Sequence, residues 1–525
     1  MASDIQQAAT PQPSRSLGAL VGLLVTAVAV STGHLVAAVT VPEASPVIAV
    51  GQAAIDATPE WLKSFAIRTF GSNDKRVLLT GIFLTLAVIA LAVGVLSARR
   101  RWVGFAGIAG LTLLALAAEI TRPTATSSYA VPAMIAGIAA AASYALLLRS
   151  MAPRHPAPDE ASASGEPTLP ADLDRRRFLV TGAALGAAVV AAGGAARFLS
   201  GNAQAAADRS ALSIPAPVSK ASALPADASF NVAGISTFYT PVEQFYRVDT
   251  ALLVPRMKVE DWRLDISGMV DRPLTLSFQD LIARDLIERD ITLNCVSNPV
   301  GGRYIGTTRW VGAPLLPLLN EVGIQPGATQ IASRSVDGFT AGTPLAQATD
   351  GRDAMLAISM DGQPLPFEHG FPVRMLVPGL YGYESATKWI TSIELTDDSF
   401  QSYWVKRSWA KAVDVKTASR IDTPTNGGRE NAGPVDIAGV AWAQHRGIQG
   451  VQVQIDNRPW IAAELGSVDS PDTWRQWKFR WNATPGSHLI RVRAIDGTGA
   501  VQTGVETPPF PSGATGYDTV SIQVS

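Results

Sequence analysis

Chemistry in this 525-residue chain concentrates around one thiol, Cys295, in the string TLNCVSNPVGGRYIGTTRW. A lone cysteine closes no intramolecular disulfide. Its ordinary reading is a small buried hydrophobe, and the competing one is a functional thiolate. Asn294 and Asn298 flank it, and Gly301 and Gly302 follow. Three further strings collect polar groups: FYRVD (Phe245 to Asp249), HGFPVRMLVPG (His369 to Gly379) and YGYESATKW (Tyr381 to Trp389). His369, Arg374 and Lys388 thus stand close in sequence beside turn-forming glycines and prolines. Arginine as a planar fork and lysine as a point charge can together grip a phosphate or another anion.

The elements that must position these residues begin near Asn231. WRLDISGMV, ITLNCVS, TQIASRS, FPVRMLVPG and KWITSIELT read as strands, and LSFQDLIARDL and PLLPLLNEVG as short helices, which predicts a mixed α+β domain. Beyond it the pattern is β alone. Val451, Val453 and Ile455 alternate with Gln452 and Gln454; Ile490, Val492 and Ala494 alternate with Arg491 and Arg493; Trp477, Phe479 and Trp481 alternate with Lys478 and Arg480. Period-two strands separated by turns predict an immunoglobulin-like β-sandwich, here without a cysteine pair.

The first two hundred residues have another character. Leu17 to Val41, Val77 to Leu96, Val103 to Ile120, Tyr129 to Leu148 and Phe178 to Leu199 are apolar and about as long as the 20 residues a bilayer crossing needs. Arg99 to Arg101, Arg149, Arg154 and Arg175 to Arg177 lie where the positive-inside rule places a cytoplasmic N-terminus and an outer location for everything after Leu199. Lys63, Arg68, Lys75 and Arg76 fall on the outer side under that orientation. The start of the fifth stretch, DRRRFLVTGAALGAAVVAAGG, resembles a twin-arginine export signal, with Asp174 where a Ser or Thr is preferred. That route carries folded proteins. Segments 151–177 and 200–230, rich in Pro, Ala and Ser, read as a cytoplasmic linker and a flexible tether. With 43 basic and 44 acidic residues the net charge is −1, so bulk electrostatics offers nothing for nucleic acid.

Taken in order, FYR, LNCVSN–GG, SVDG, HGFP-R and S-x-T-K-W resemble the sulfite oxidase family of molybdenum enzymes, in its bacterial membrane-anchored form. With the apolar stretches read as an all-α transmembrane region over 1–150, the linker, a fifth span over 178–199 and the tether, the resemblance completes a multi-domain chain: a sulfite-oxidase-like molybdopterin domain over 231–412 and a sandwich of the dimerisation type over 413–525. It makes Cys295 the molybdenum ligand and catalytic centre, a soft thiolate beside the dithiolene sulfurs of molybdopterin. Tyr246, Arg247 and Asp337 would line the pterin. His369 and Arg374 would hold the pterin and its phosphate, and Ser385, Thr387 and Lys388 would complete the cradle.

Two positions depart from the family pattern. Val300 stands five residues after the cysteine, where sulfite-oxidising members carry an arginine, and Trp409 lies near the place of a pocket tyrosine. Arg303 is the nearest cation, at a different spacing. A less positive pocket suits a neutral oxo-acceptor such as a sulfoxide or N-oxide, used in the reductive direction, beside sulfite oxidation as the other reaction left open. His34 is the one histidine in a span, so electrons are expected to pass to a separate protein or quinone. The activity implied is two-electron oxo transfer on a small molecule by an extracytoplasmic enzyme in the cell membrane, with a homodimer plausible. The alternative is a non-catalytic cell-surface binding protein on a relict oxidoreductase scaffold.

Overall fold

The structure is a computed structural model that describes residues 14–59, 62, 65–66, 69–70, 74–122, 125–151, 175–199 and 202–525. The linker read over 151–177 lies outside the described residues between 152 and 174, as do Lys63, Arg68, Arg154 and Asp174. The chain divides into two compact units, 1–203 with 251–253, and 204–250 with 254–525.

Five helices of the first unit, Arg15–Val39, Lys75–Ser97, Arg101–Ile120, Ser127–Ser150 and Arg176–Ala196, are long and apolar enough to cross a membrane. They coincide with the five apolar stretches of the sequence. Small residues let two of them meet closely: a Cβ on Gly22 would strike the Ala90 carbonyl oxygen, and one on Gly94 that of Gly18.

The second unit is built on four sheets. One runs in the order β2 (Leu274–Ser277), β1 (Arg263–Gly268), β10 (Ile390–Thr396), β5 (Gln330–Ser335), β6 (Thr340–Pro344). A second runs β3 (Ile287–Asn294), β4 (Ile305–Pro314), β7 (Met355–Met360), β8 (Gln363–Pro364), with β9 (Arg374–Leu376) paired to β7. Helices Phe278–Ile282 and Leu315–Val322 fill the core between strands with Phe278, Leu281, Leu315, Leu318 and Leu319. Ser277 starts the first of them with a capping box, its hydroxyl accepting from the Asp280 N–H while the Asp280 carboxylate accepts from Ser277. All six residues of β7 are buried, the burial of a strand covered on both faces.

The remaining strands form two sheets. One contains β11 (Ala418–Thr423), β13 (Gly433–Trp442), β17 (Arg475–Ala483) and β16 (Glu464–Leu465); the other contains β12 (Arg429–Glu430), β19 (Asp518–Val524), β18 (Gly486–Asp496), β14 (Ile448–Ile455) and β15 (Ile461–Ala462). A single core joins them, with Ile437 and Trp477 from the first and Val451, Ile490 and Val492 from the second. The alternating residues read from the sequence point inward as the pleat requires, although Phe479 and Trp481 are only half-buried.

Segment 200–230 differs from a free tether where it is described. Residues Asn202–Ala211 are helical, and the chain beyond lies along the β-rich unit. The Val218 N–H donates to Leu286, the Glu288 N–H to Ser219, and the Phe230 N–H to Gln476 Oε1. Proline- and alanine-rich composition hides such attachments, because backbone donors and acceptors need no particular side chain.

Candidate active site

Cys295 follows directly on β3, at the point where the antiparallel pair β3–β4 opens into a loop. The loop folds on itself. The Cys295 N–H donates to the Tyr304 carbonyl at 2.9 Å, the Asn298 N–H to the Cys295 carbonyl at 3.0 Å, and the Tyr304 N–H to Asn298 Oδ1 at 2.9 Å. Gly302 crosses so close to Asn298 that a Cβ there would collide with the amide oxygen. The thiol is buried, and its Sγ lies 2.9 Å from the Ser297 hydroxyl. Burial pushes the Cys295 thiol up, while hydrogen bonding from Ser297 and the charge of Lys388 act against it.

Arg374 opens β9 and is buried. Its guanidinium lies over the Trp310 ring at 5.2 Å and donates to the carbonyls of His369 at 3.1 Å and Ala386 at 3.4 Å. Its Nε has no hydrogen-bond partner among the described residues. Desolvation lowers its pKa to about 10. His369, also buried, sits edge-on to Phe245 at 5.6 Å. Desolvation first, then Arg374 and Lys388, push its imidazole down to about 3, so it is neutral at ordinary pH. Lys388 Nζ donates to Asp249 at 2.7 Å and to the Glu368 carbonyl at 3.0 Å. Asp249 also accepts from Arg247 Nε at 2.9 Å, which ties FYRVD to the lysine.

Tyr246 is half-buried, stacked on Phe245, and its hydroxyl is pushed well above its usual range by burial and then by Cys295. Burial raises Asp337 as well, with Asp249 adding to the effect. Cys295, Tyr246, Arg247, Asp337, His369, Arg374 and Lys388 therefore form one electrostatically connected group. Ser385 and Thr387 reach the same neighbourhood, but their hydroxyls face into the fold: Ser385 Oγ donates to the Leu380 and Tyr381 carbonyls, and Thr387 Oγ1 is bonded to Ser333.

Sequence reading assigned no role to three residues. Asp249 joins Arg247 to Lys388 across 139 positions. Tyr381 is raised to about 12, chiefly by burial and in part by Cys295. Glu384, fully buried, accepts from the Ala412 N–H at 2.5 Å and the Val413 N–H at 2.9 Å, and burial lifts it to about 7. Their place within FYRVD and YGYESATKW was their one signal. Of the departing positions, Trp409 is buried against Tyr383, Trp404 and Phe510, while Val300 is 38% exposed and Arg303 exposed.

The donor set is incomplete for a metal but suited to a cofactor. No cluster of three His, Cys, Asp or Glu residues exists among the described residues, so Cys295 offers one soft ligand and the rest must arrive with the metal. The open Arg374 Nε is a buried donor awaiting an acceptor, as a phosphate oxygen would be.

A family model described as oxidoreductase molybdopterin binding domain matches residues 251–404. The mitochondrial sulfite oxidase of Drosophila melanogaster is 31% identical over 321 residues, covering 50% of this chain and 55% of that protein. A Bacillus subtilis protein bearing the name uncharacterized oxidoreductase YuiH is 30% identical over 148 residues, 28% of this chain and 72% of its own length. The sulfane dehydrogenase SoxCD of Paracoccus pantotrophus shares the fold with a TM-score of 0.50 at 22% identity, over 55% of this chain and 82% of that one. The chain spans about half the length of the sulfite oxidases it matches.

Proposed function

This chain belongs to the sulfite oxidase family of molybdopterin-dependent oxidoreductases, and on that footing we propose that it performs two-electron oxo transfer on a small molecule, with Cys295 as the protein ligand to molybdenum. The observation that carries the reading is a lone buried thiol and a buried arginine, its Nε unmatched among the described residues, that both act on Tyr246. Molybdopterin supplies a metal that changes oxidation state by two electrons and takes or gives an oxygen atom.

The residues have separable tasks. Arg374 and Lys388 hold the anionic end of the cofactor, and Asp249 fixes where the lysine amine stands. Neutral His369 offers a hydrogen-bonding nitrogen without adding a third positive charge. Asp337 and Tyr246 offer polar groups to the pterin edge, and Arg247 closes the site from the N-terminal side. Cys295 loses its proton on ligation, as thiolate ligands must.

The substrate is a neutral oxo-acceptor such as a sulfoxide or N-oxide, reduced at the expense of a separate electron-transfer protein or quinone. Val300 supports this, placing an uncharged side chain where sulfite-oxidising members have arginine. The catalytic unit is extracytoplasmic and anchored by a five-span region, a reading supported by the five long apolar helices and the twin-arginine-like Arg175-Arg176 pair. The sandwich is of immunoglobulin type and a candidate dimer contact.

A screen with dye donors and acceptors on protein from a molybdopterin-competent host tests these points. About one molybdenum per chain is expected, with activity abolished in Cys295→Ala. Protein without the metal would favour the relict binding protein. Sulfite turnover comparable to a true sulfite oxidase would overturn the neutral substrate.

A further inference from the structure

The loop carrying Cys295 is closed by its own hydrogen bonds, yet one face of it is finished by another part of the chain. Gly302, seven residues after the thiol, presents its carbonyl to Nη1 of Arg420 on β11 of the sandwich at 2.9 Å. The neighbouring Gly301 has φ +71° and no side chain, and Asp518 Oδ1 of β19 lies 2.5 Å from where its Cβ would stand. The other carboxylate oxygen of Asp518 accepts from the Ile421 N–H at 2.8 Å, beside Arg420. Gly301 therefore admits the sandwich for want of a side chain, while Gly302 offers it a backbone carbonyl.

Arg420 is itself held on every side. Its Nε donates to Asp422 Oδ1 at 2.6 Å and its Nη2 to the Ser236 hydroxyl at 2.9 Å; the Ser236 N–H donates to Asp422 Oδ2 at 3.0 Å. Only 7% of the residue is exposed. Ser236 begins the stretch leading to Tyr246 and Arg247. One guanidinium thus ties together the ligand loop, the N-terminal segment bearing pterin-lining candidates, and the sandwich. A planar fork with its directions fixed sets position as well as distance, which a lysine amine on a flexible stem does not.

We infer that Arg420 is a positioning residue for the molybdenum ligand: through Gly302 it fixes the loop that aims the Cys295 sulfur, so the sandwich completes the site of its own chain. The inference rests on the molybdenum reading above. Loss of the fork frees the 295–304 loop to open locally and lets the sulfur rotate against the metal.

The experiment uses the full-length chain in detergent, as wild type, Arg420→Met and Arg420→Lys. Hydrogen exchange of the 295–304 segment is followed in cofactor-free and cofactor-loaded protein, and the Mo(V) resonance spectrum in the loaded form. Breaking hydrogen bonds from a charged donor should speed exchange of the Cys295 and Tyr304 amides by about tenfold or more in Arg420→Met, and less in Arg420→Lys. The g-values should shift while molybdenum per chain stays near wild type. Wild-type exchange and an unchanged spectrum in folded variants overturn the inference, since mere domain adhesion would move the unfolding temperature alone. Should Arg420→Met fail to fold, Arg420→Lys, which keeps the charge opposite Asp422, decides by the same readouts. Wild-type protein lacking molybdenum refutes the cofactor reading separately, and the cofactor-free exchange then still tests the clamp.

Discussion

Asp249 is the joint between two cations of the site, with a side chain only 4% exposed and Lys388 and Arg247 both within hydrogen-bond reach. Asp249→Ala leaves the buried Lys388 amine without its carboxylate, so urea unfolding should show a loss of about 3 kcal/mol. His369 gives a pH signature. Its folded pKa lies near 3 against an ordinary 6.5, so between these values the unfolded chain binds a proton that the native one refuses. Stability from this group is complete above pH 6.5 and is lost as the pH falls toward 3, by on the order of 4 kcal/mol. Urea midpoints at about pH 7.5 and 4.5 should diverge in the wild type and converge in His369→Gln. Cys295, His369, Arg374 and Lys388 were legible as candidates because their residue types could carry chemistry and stand in a recognisable order. Asp249 and Arg420 were not, because their meaning lies in partners more than a hundred positions away. Nor did sequence reveal that the hydroxyls of Ser385 and Thr387 turn inward, since that depends on which side of a bend each occupies.

Among elements, the strands were the most readable part of the chain, since alternation of apolar and polar residues follows directly from the pleat. Ile490 of β18, fully buried between the two sheets, shows what that alternation secures. Ile490→Ala should cost about 3 kcal/mol in urea unfolding, because the cavity lies where two sheets already define the spacing. The way the sheets are joined to the catalytic half was beyond periodicity. The Trp474 N–H donates to Thr292 Oγ1 on β3 at 2.7 Å, and its indole N–H donates to the Phe238 carbonyl at 2.9 Å. Trp474→Ala should therefore destabilise by about 3–5 kcal/mol and raise exchange in β3 as well as in the adjoining β17, read by peptide-resolved hydrogen exchange.

For the whole molecule, the proposed topology has a direct test. Chains with Arg175 and Arg176 replaced by lysine should keep the catalytic unit on the cytoplasmic side, shielded from protease added to spheroplasts, while the wild type is cleaved. Resistance of the wild type would place the unit inside and remove the export argument. The length and apolarity of the helices were plain in the sequence, but the backbone hydrogen bonds that hold 212–230 to its neighbours were not, as composition alone described that stretch as loose. The Nε of Arg374, unmatched among the described residues, has a consequence for biogenesis. Until an acceptor arrives, the folded chain keeps a buried charge incompletely solvated, and occupancy stabilises it in proportion to the logarithm of cofactor concentration over its dissociation constant. On the proposed reading the empty protein is thus the more fragile species, expected to melt lower and to meet proteases first, so that one nitrogen would separate loaded from unloaded chains by their lifetimes.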